Sequence, residues 1–204
     1  MDKVICIVGP TGIGKTKLSL ALAQELASEI INGDAIQVFK EVDILSAKPT
    51  HEEQSLVKHH LLDYLEVSEN LDVAQFKRQA TSIIKELNVK NKIPILVGGS
   101  GLYLKSLLYD YNFNQIEQRN DATMLKYQDY SNEALYNHLV AIDAKAASIL
   151  HPNNRKRVLR AIEIFENNKI TKSEFISAQE HKPVFDVLII GLAMPREQLY
   201  ERIN

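Results

Sequence analysis

Residues 4–16 constrain the fold more than any other stretch of the chain. The apolar run Val4-Ile5-Cys6-Ile7-Val8 leads directly into Gly9-Pro10-Thr11-Gly12-Ile13-Gly14-Lys15-Thr16, which fits the pattern G-x-x-x-x-G-K-[ST]. Such a run reads as a strand buried on both faces, as in parallel sheets covered by two layers of helix. Lys15 to Ala27 then places Leu18, Ala21, Leu22 and Leu26 at helical spacing. Strand, glycine-rich turn and helix, in that order, is the context this motif requires. The glycines let the backbone curl so that successive N–H groups point into one concavity, and the helix N-terminus adds its dipole. Lys15 supplies a point charge for a terminal phosphate, and the Thr16 hydroxyl is a candidate Mg²⁺ ligand. The stretch reads as a polyphosphate site. ATP, an allylic diphosphate and a sugar diphosphate all present the charge pattern it would hold.

The rest of the chain repeats the alternation of strand and helix. Glu29 to Asp34 looks like a second strand ending in a polar turn, and 35–50 reads as loop. His59 to Val67 reads as a third extended piece. Asp72 can cap a helix over 72–88 whose stripe is Val73, Phe76, Ala80, Ile83, Ile84 and Leu87. Ile93 to Val97 is another buried strand, and Gly98-Gly99-Ser100-Gly101 turns from it into a helix over 102–108. The expected fold is α/β, a P-loop NTPase-like parallel sheet flanked by helices with right-handed crossovers. No buried-strand run occurs over 110–150, where 132–142 and 144–150 read as helices. This part is expected to be a small helical insertion, with 1–109 and 151–204 forming the core. Asn154 to Asn167 is a further helix, Thr171-Lys172-Ser173-Glu174 is a capping box, and Val187 to Leu192 returns to a buried strand. Pro195 suits the first turn of a last helix.

Composition excludes several classes. Apolar residues make up 45% and charged residues 25%, which is ordinary globular usage and neither disordered nor collagenous. No apolar run approaches the ~18 residues of a membrane span, so no membrane association is expected. The short apolar run at the N-terminus and a single cysteine, Cys6, suit the cytoplasm. A net charge of −2 argues against nucleic-acid binding by bulk charge. Any such contact must come from a local patch, and the clearest one is Arg155, Lys156, Arg157 and Arg160 on the 154–167 helix. His59 and His60 lack further ligands at metal-binding spacing and read as structural.

Asp34 follows a parallel strand and should lie at the carboxyl edge of the sheet, beside the phosphate loop. From position alone it is a Mg²⁺ ligand, a general base or a turn-forming residue. Gln37 could read a base edge or simply be solvated. Ser100, after a strand and opening a helix, suits an N-cap or a hydroxyl that orients phosphate or nucleotide.

Taken together these residues resemble the tRNA dimethylallyltransferase family. The resemblance rests on the phosphate loop, then Asn32-Gly33-Asp34-Ala35-Ile36-Gln37-Val38-Phe39, then Asp43-Ile44 with Ala47-Lys48-Pro49-Thr50. It continues through His59-His60-Leu61-Leu62-Asp63 and Val97-Gly98-Gly99-Ser100-Gly101-Leu102-Tyr103. It ends with His151-Pro152-Asn153-Asn154-Arg155, Arg157, Arg160-Ala161, Glu163 and the run from Arg196 to Asn204.

The resemblance implies a transferase that moves a dimethylallyl group from dimethylallyl diphosphate to N6 of the adenosine 3′ of certain tRNA anticodons. The phosphate loop would then hold a diphosphate leaving group with Mg²⁺ on Thr16, and Asp34 matches the position of the family's general base. Ser100 stands where threonine is usual and joins Asp34 as a catalytic candidate. Asp34, Ala35, Ile36, Gln37, Ser100 and Lys156, Arg157, Val158, Leu159 and Arg160 are implied to meet tRNA. Arg196, or Arg202, is expected to add a second charge on the diphosphate. The chain is expected to act as a monomer. Three departures stand out: Ala35 replaces serine, Gly12 replaces alanine with little expected consequence, and Leu125, beside Lys126, replaces an arginine. The resemblance also implies further chain beyond Asn204. Two other readings of the residues are a small-molecule kinase using ATP and a non-catalytic nucleotide- or RNA-binding module.

Overall fold

The computed structural model describes residues 1–43, 46–111, 121–179 and 182–203. Ile44, Asn204 and the first part of the expected insertion lie outside the described residues. In chain order the elements are β1 (Lys3–Val8), α1 (Lys15–Glu25), β2 (Ile30–Asn32), α2 (His51–Leu56), β3 (His59–His60), α3 (Val73–Val89), β4 (Ile95–Gly98) and α4 (Gly101–Leu108). They continue with α5 (Asp121–Lys126), α6 (Asn132–Ile142), α7 (Ala144–Ala147), α8 (Arg155–Asn168), α9 (Lys172–Ser177), β5 (Asp186–Gly191) and α10 (Arg196–Ile203).

The chain divides into two compact units, one of Met1–Tyr111 with His181–Asn204, the other of Asn112–Glu180. The first is built on a parallel five-stranded sheet in the order β3-β2-β4-β1-β5. Alternation along β1 sorts its side chains. Val4 and Cys6 join Ile31 and Leu96 against Phe76, Ala80 and Ile84 of α3 and Leu104 and Leu107 of α4. Ile5 and Ile7 face the other way, with Ile30 and Ile95, against Leu20 and Ala23 of α1. Burying each large apolar side chain contributes about 1.5–3 kcal/mol, and Phe76 and Ile84 are fully buried. Phe76 stacks on Tyr103 at 4.8 Å between ring centroids. Cys6 is buried in this core and its thiol is pushed up to about 12 by burial, which keeps it inert.

α3 is capped as its sequence indicates, by a reciprocal box between Asp72 and Gln75. α2 begins directly after the 35–50 stretch expected to be loop. Its signal is Thr50 and Glu53, which form a reciprocal capping box. The extended piece expected over 59–67 stops at His60, because Leu61 and Asp63 take left-handed φ values of 56° and 55°. An isolated bridge from Leu65 to Phe39 is the further pairing of this piece among the described residues. β5 is not the buried strand its sequence suggests. It lies at the edge of the sheet with Leu188 58% and Ile189 45% exposed, and only Val187 and Ile190 pack inward.

The second unit is helical. Leu135 and Leu139 of α6 pack with Val158, Ala161 and Ile162 of α8 around Tyr127, Ala147 and Leu150. This packing moves the expected boundary. The helical unit does not stop at residue 150, since the apolar face of α8 is spent on α6, and the unit extends to Glu180. Buried Asp143 ties it together, capping α7 through Ala146 N–H at 2.9 Å and accepting Ser173 N–H of α9 at 2.9 Å. No helix among the described residues is long and apolar enough to cross a membrane.

Candidate active site

Strand order explains why three distant stretches of sequence meet. β2, β4 and β1 are consecutive neighbours in the sheet, and all run the same way. Their carboxyl ends therefore lie along one edge, the usual place for a ligand in an open parallel sheet. The loop after β1 is the phosphate loop, the loop after β2 carries Asp34, and the turn after β4 carries Ser100. Neighbouring strands are about 4.8 Å apart, so the ends of β1 and β2, with β4 between them, lie two such spacings apart, roughly 10 Å.

That intervening end is glycine. A Cβ on Gly98 would fall 2.3 Å from the Gly33 carbonyl oxygen, and Gly33 N–H donates to Val97 O at 2.7 Å. A Cβ on Gly99 would point between Gly9 O, at 3.9 Å, and Asp34 Oδ2, at 4.0 Å. Glycine at both positions lets the Asp34 turn close onto β4 while keeping space between the carboxylate and the phosphate loop.

The cavity at this edge has a volume of about 310 Å³. Thr11, Gly12, Gly14, Lys15 and Thr16 are among its lining residues, as are Asn32, Asp34 and Gln37, and Ala47, Pro49, Glu53, His59 and Leu62 also contribute to the wall. Gly12 and Gly14 have φ of 80° and 105°, a region L side chains rarely adopt. A Cβ on Gly12 would also meet Ile203 of α10 at 2.8 Å, so alanine here would have a real consequence. The Lys15 ammonium donates to Gly9 O and Pro10 O, each at 2.9 Å, which leaves one of its three donors. Burial lowers the Lys15 pKa and the charge of Asp34 opposes that, so the two side chains are in electrostatic contact across the cavity.

Asp34 is held from several directions. Asn32, 4% exposed at the end of β2, accepts Asp34 N–H at 3.0 Å and donates to Asp34 O at 3.1 Å and Leu61 O at 2.8 Å. Ser100 Oγ accepts Ala35 N–H at 3.0 Å, and Asp34 Oδ1 accepts Ile36 N–H at 2.9 Å. One carboxylate oxygen is thus engaged in the turn and Oδ2 remains toward Gly99. Gln37 Nε2 donates to Ser46 O at 2.9 Å and Ala47 O at 3.1 Å.

The other sequence candidates sort differently. Ser100 is not a wall of this cavity, and its hydroxyl oxygen accepts a hydrogen bond from the Asp34 turn. Ala35 and Ile36 contribute backbone N–H groups to the turn. Arg196 is not brought to the cavity, because its Nε donates to Tyr200 OH at 2.8 Å and its guanidinium lies over the Tyr200 ring at 5.1 Å. In the helical unit Lys156 and Arg157 are exposed, Arg160 pairs with Glu163 at 2.7 Å, and Leu159 packs against the core. Val158 is fully buried there and cannot touch a nucleic acid. Arg155 is structural, its guanidinium donating to Tyr127 O at 2.7 Å and Gln128 O at 3.0 Å. Leu125 is exposed and Lys126 pairs with Glu166. His60 bonds Glu29 at 2.7 Å and His59 bonds Val57 O at 2.8 Å.

The donor set suits Mg²⁺ in one respect. That ion takes hard oxygens, keeps several waters and is usually bound through one or two carboxylates plus substrate phosphates. The Thr16 hydroxyl and the Asp34 carboxylate share the cavity. A group of three or more His, Cys, Asp or Glu able to hold a metal by themselves does not occur among the described residues.

A family model described as IPP transferase matches residues 37–204. The chain belongs to the IPP transferase family. The tRNA dimethylallyltransferase of Anoxybacillus flavithermus is 45% identical over 203 residues, covering 100% of this chain and 65% of that protein. A crystal structure of a eukaryotic dimethylallyltransferase acting on tRNA superimposes with a TM-score of 0.81 at 30% identity, over 100% of this chain and 52% of that one. The tRNA isopentenylpyrophosphate transferase of Bacillus halodurans gives a TM-score of 0.65 at 39% identity, over 100% of this chain and 64% of that one. The chain therefore spans about 65% of the length of that curated relative. The IPP transferase fold accounts for the parallel sheet and for the phosphate loop at its edge.

Proposed function

We propose that this chain carries the catalytic centre of a cytoplasmic, monomeric tRNA dimethylallyltransferase, which moves a dimethylallyl group from dimethylallyl diphosphate to N6 of the adenosine 3′ of the anticodon. The observation that carries the proposal is the placement of Asp34 across the glycine end of β4 from the phosphate loop, in the same cavity as Lys15 and Thr16. A phosphate loop alone suits many reactions. A carboxylate facing it across a gap of glycine suits one in which a diphosphate leaves and a proton must be removed.

The N6 lone pair attacks C1 of the dimethylallyl group, and the C1–O bond breaks with its electron pair going to the diphosphate. Negative charge grows on that oxygen. The loop N–H groups, the α1 N-terminus and the remaining donor of Lys15 stabilise it without reorganising. Mg²⁺, held by Thr16 and the diphosphate with Asp34 nearby, would neutralise further charge on the leaving group. Asp34 takes the proton from N6, a contribution of roughly 10²–10⁴-fold for a positioned base. The adenosine must leave its stack to reach the cavity. Gln37, its amide nitrogen engaged, offers Oε1 as an acceptor. The exposed Lys156 and Arg157 suit contacts to RNA phosphates, which position without specifying sequence.

The test mixes the protein with labelled dimethylallyl diphosphate and an anticodon stem-loop. Label on the adenosine with release of diphosphate supports the reading. ATP turnover without RNA supports a kinase instead, and binding without product in a chain carrying the relatives' full length supports a non-catalytic module.

A further inference from the structure

We propose that Lys48 is a positioning residue that clamps the Gln37 loop against the cavity. This rests on the reading of the cavity as the nucleotide site. The Lys48 side chain is only 3% exposed, yet its ammonium carries two ion pairs, with Asp43 Oδ1 at 2.7 Å and Asp63 Oδ1 at 2.8 Å. Burial lowers its pKa, and the two carboxylates more than offset this, so it stays charged. A buried cation is costly unless fully paired, and such a residue in a surface loop calls for a reason.

The reason lies in what the two carboxylates are attached to. Asp63 N–H donates to Gln37 O at 3.0 Å, and Tyr64 and Leu65 N–H both donate to Val38 O, at 2.9 and 3.0 Å. Gln37 Nε2 in turn binds the carbonyls of Ser46 and Ala47, immediately before Lys48 in sequence. Lys48 thus ties the end of the loop to the 63–65 segment, with Gln37 enclosed between them. Both donors of the Gln37 amide are spent on this frame, and Gln37 lines the cavity, so the group it has left for a ligand is the acceptor Oε1. The clamp fixes a hydrogen-bond acceptor, which selects a base bearing an exocyclic amine. Asp34 is held separately, by Asn32 and by Ser100 through Ala35. Lys48 therefore acts on base seating more than on proton removal.

The experiment compares wild type, Lys48→Met and Lys48→Arg by amide hydrogen exchange in the free protein, and by steady-state transfer to the stem-loop. Lys48→Met is expected to speed exchange at Asp63, Tyr64 and Leu65 by about tenfold or more, leaving the amides of α3 unchanged. It is expected to raise the KM for RNA about tenfold, the effect of about one lost hydrogen bond, with a smaller change in kcat. Lys48→Arg restores much of both. If Lys48→Met loses protection throughout α3 as well, Asp63→Asn replaces it, with the same local pattern expected. Unchanged exchange at 63–65 in either variant overturns the clamp, as does a fall in kcat with KM unaltered. Absence of transfer in wild type defeats the proposed reaction and with it the link to base seating, while the exchange pattern still decides whether the clamp exists.

Discussion

Ser100 Oγ accepts the backbone N–H of Ala35 at 3.0 Å, joining the turn after β4 to the turn that presents Asp34. The contact makes Ser100 a positioning residue for that turn. Ser100→Ala leaves the Ala35 N–H without its partner. A hydrogen bond of this kind contributes about 0.5–1.5 kcal/mol, so turnover should fall roughly two- to tenfold while Ser100→Thr stays near wild type. Single-turnover rates at saturating RNA measure this, and equal rates for Ser100→Ala and wild type would remove the role.

The basic stretch of α8 divides into groups with opposite expected phenotypes. Lys156→Ala with Arg157→Ala should weaken RNA binding and lower the slope of log K against log salt by about 1 per residue, with little change in stability. Val158→Ala should do the reverse, costing about 1–3 kcal/mol through a core cavity and leaving the salt slope alone. Binding titrations across a salt series and urea denaturation separate the two.

Much of this was legible in the sequence and the remainder has identifiable physical causes. The phosphate loop, Asp34 at a strand end and the Asp72 cap are local signals with fixed spacing, and each stands where it is expected. The family resemblance covers Val158 together with its basic neighbours, but its apolar spacing with Ala161 and Ile162 marks it as core, and only one face of a helix is available to RNA. The frame around Lys48 was not legible, because its partners Asp43 and Asp63 lie on separate segments that meet only after β2 and β3 pair. Asn32 left a fainter signal, since an Asn closing a strand just before Gly-Asp is a known turn former. Arg196 at a strand's carboxyl side suggested the site, but an aromatic ring one helical turn away, Tyr200, takes its guanidinium.

α8 ends on Lys169, whose φ of 56° is left-handed. Glycine is the residue that adopts this cap without steric cost. Lys169→Gly is expected to stabilise the chain by about 0.5–1 kcal/mol, read as a higher urea midpoint. A lower midpoint would show that the lysine side chain contributes more than its backbone costs.

Glu29 supplies the pH dependence. Burial alone would raise its pKa, but hydrogen bonds from Lys92 and His60, with the charges of Lys92 and Lys58, bring it down from 4.5 to about 2. A carboxyl depressed in the folded state stabilises it fully above its unfolded pKa. That stability is lost as pH falls from about 4.5 toward about 2. After solvent screening the contribution is of order 1–2 kcal/mol. Glu29→Gln should lower stability at pH 7 by that amount and flatten the acid limb of the stability profile between those values. An acid limb of wild-type steepness in the variant would assign the loss to other carboxylates.

The central claim is that Asp34 takes a proton from an adenosine amine while the facing loop holds a departing diphosphate. Its most direct measurement is the single-turnover rate at which prenylated adenosine forms on an anticodon stem-loop, comparing wild type with Asp34→Asn, which keeps the size of the side chain. The expected result is product with wild type, a rate lower by about 10²–10⁴-fold in the variant, and RNA affinity within a factor of about two. Equal rates for the two proteins would contradict it.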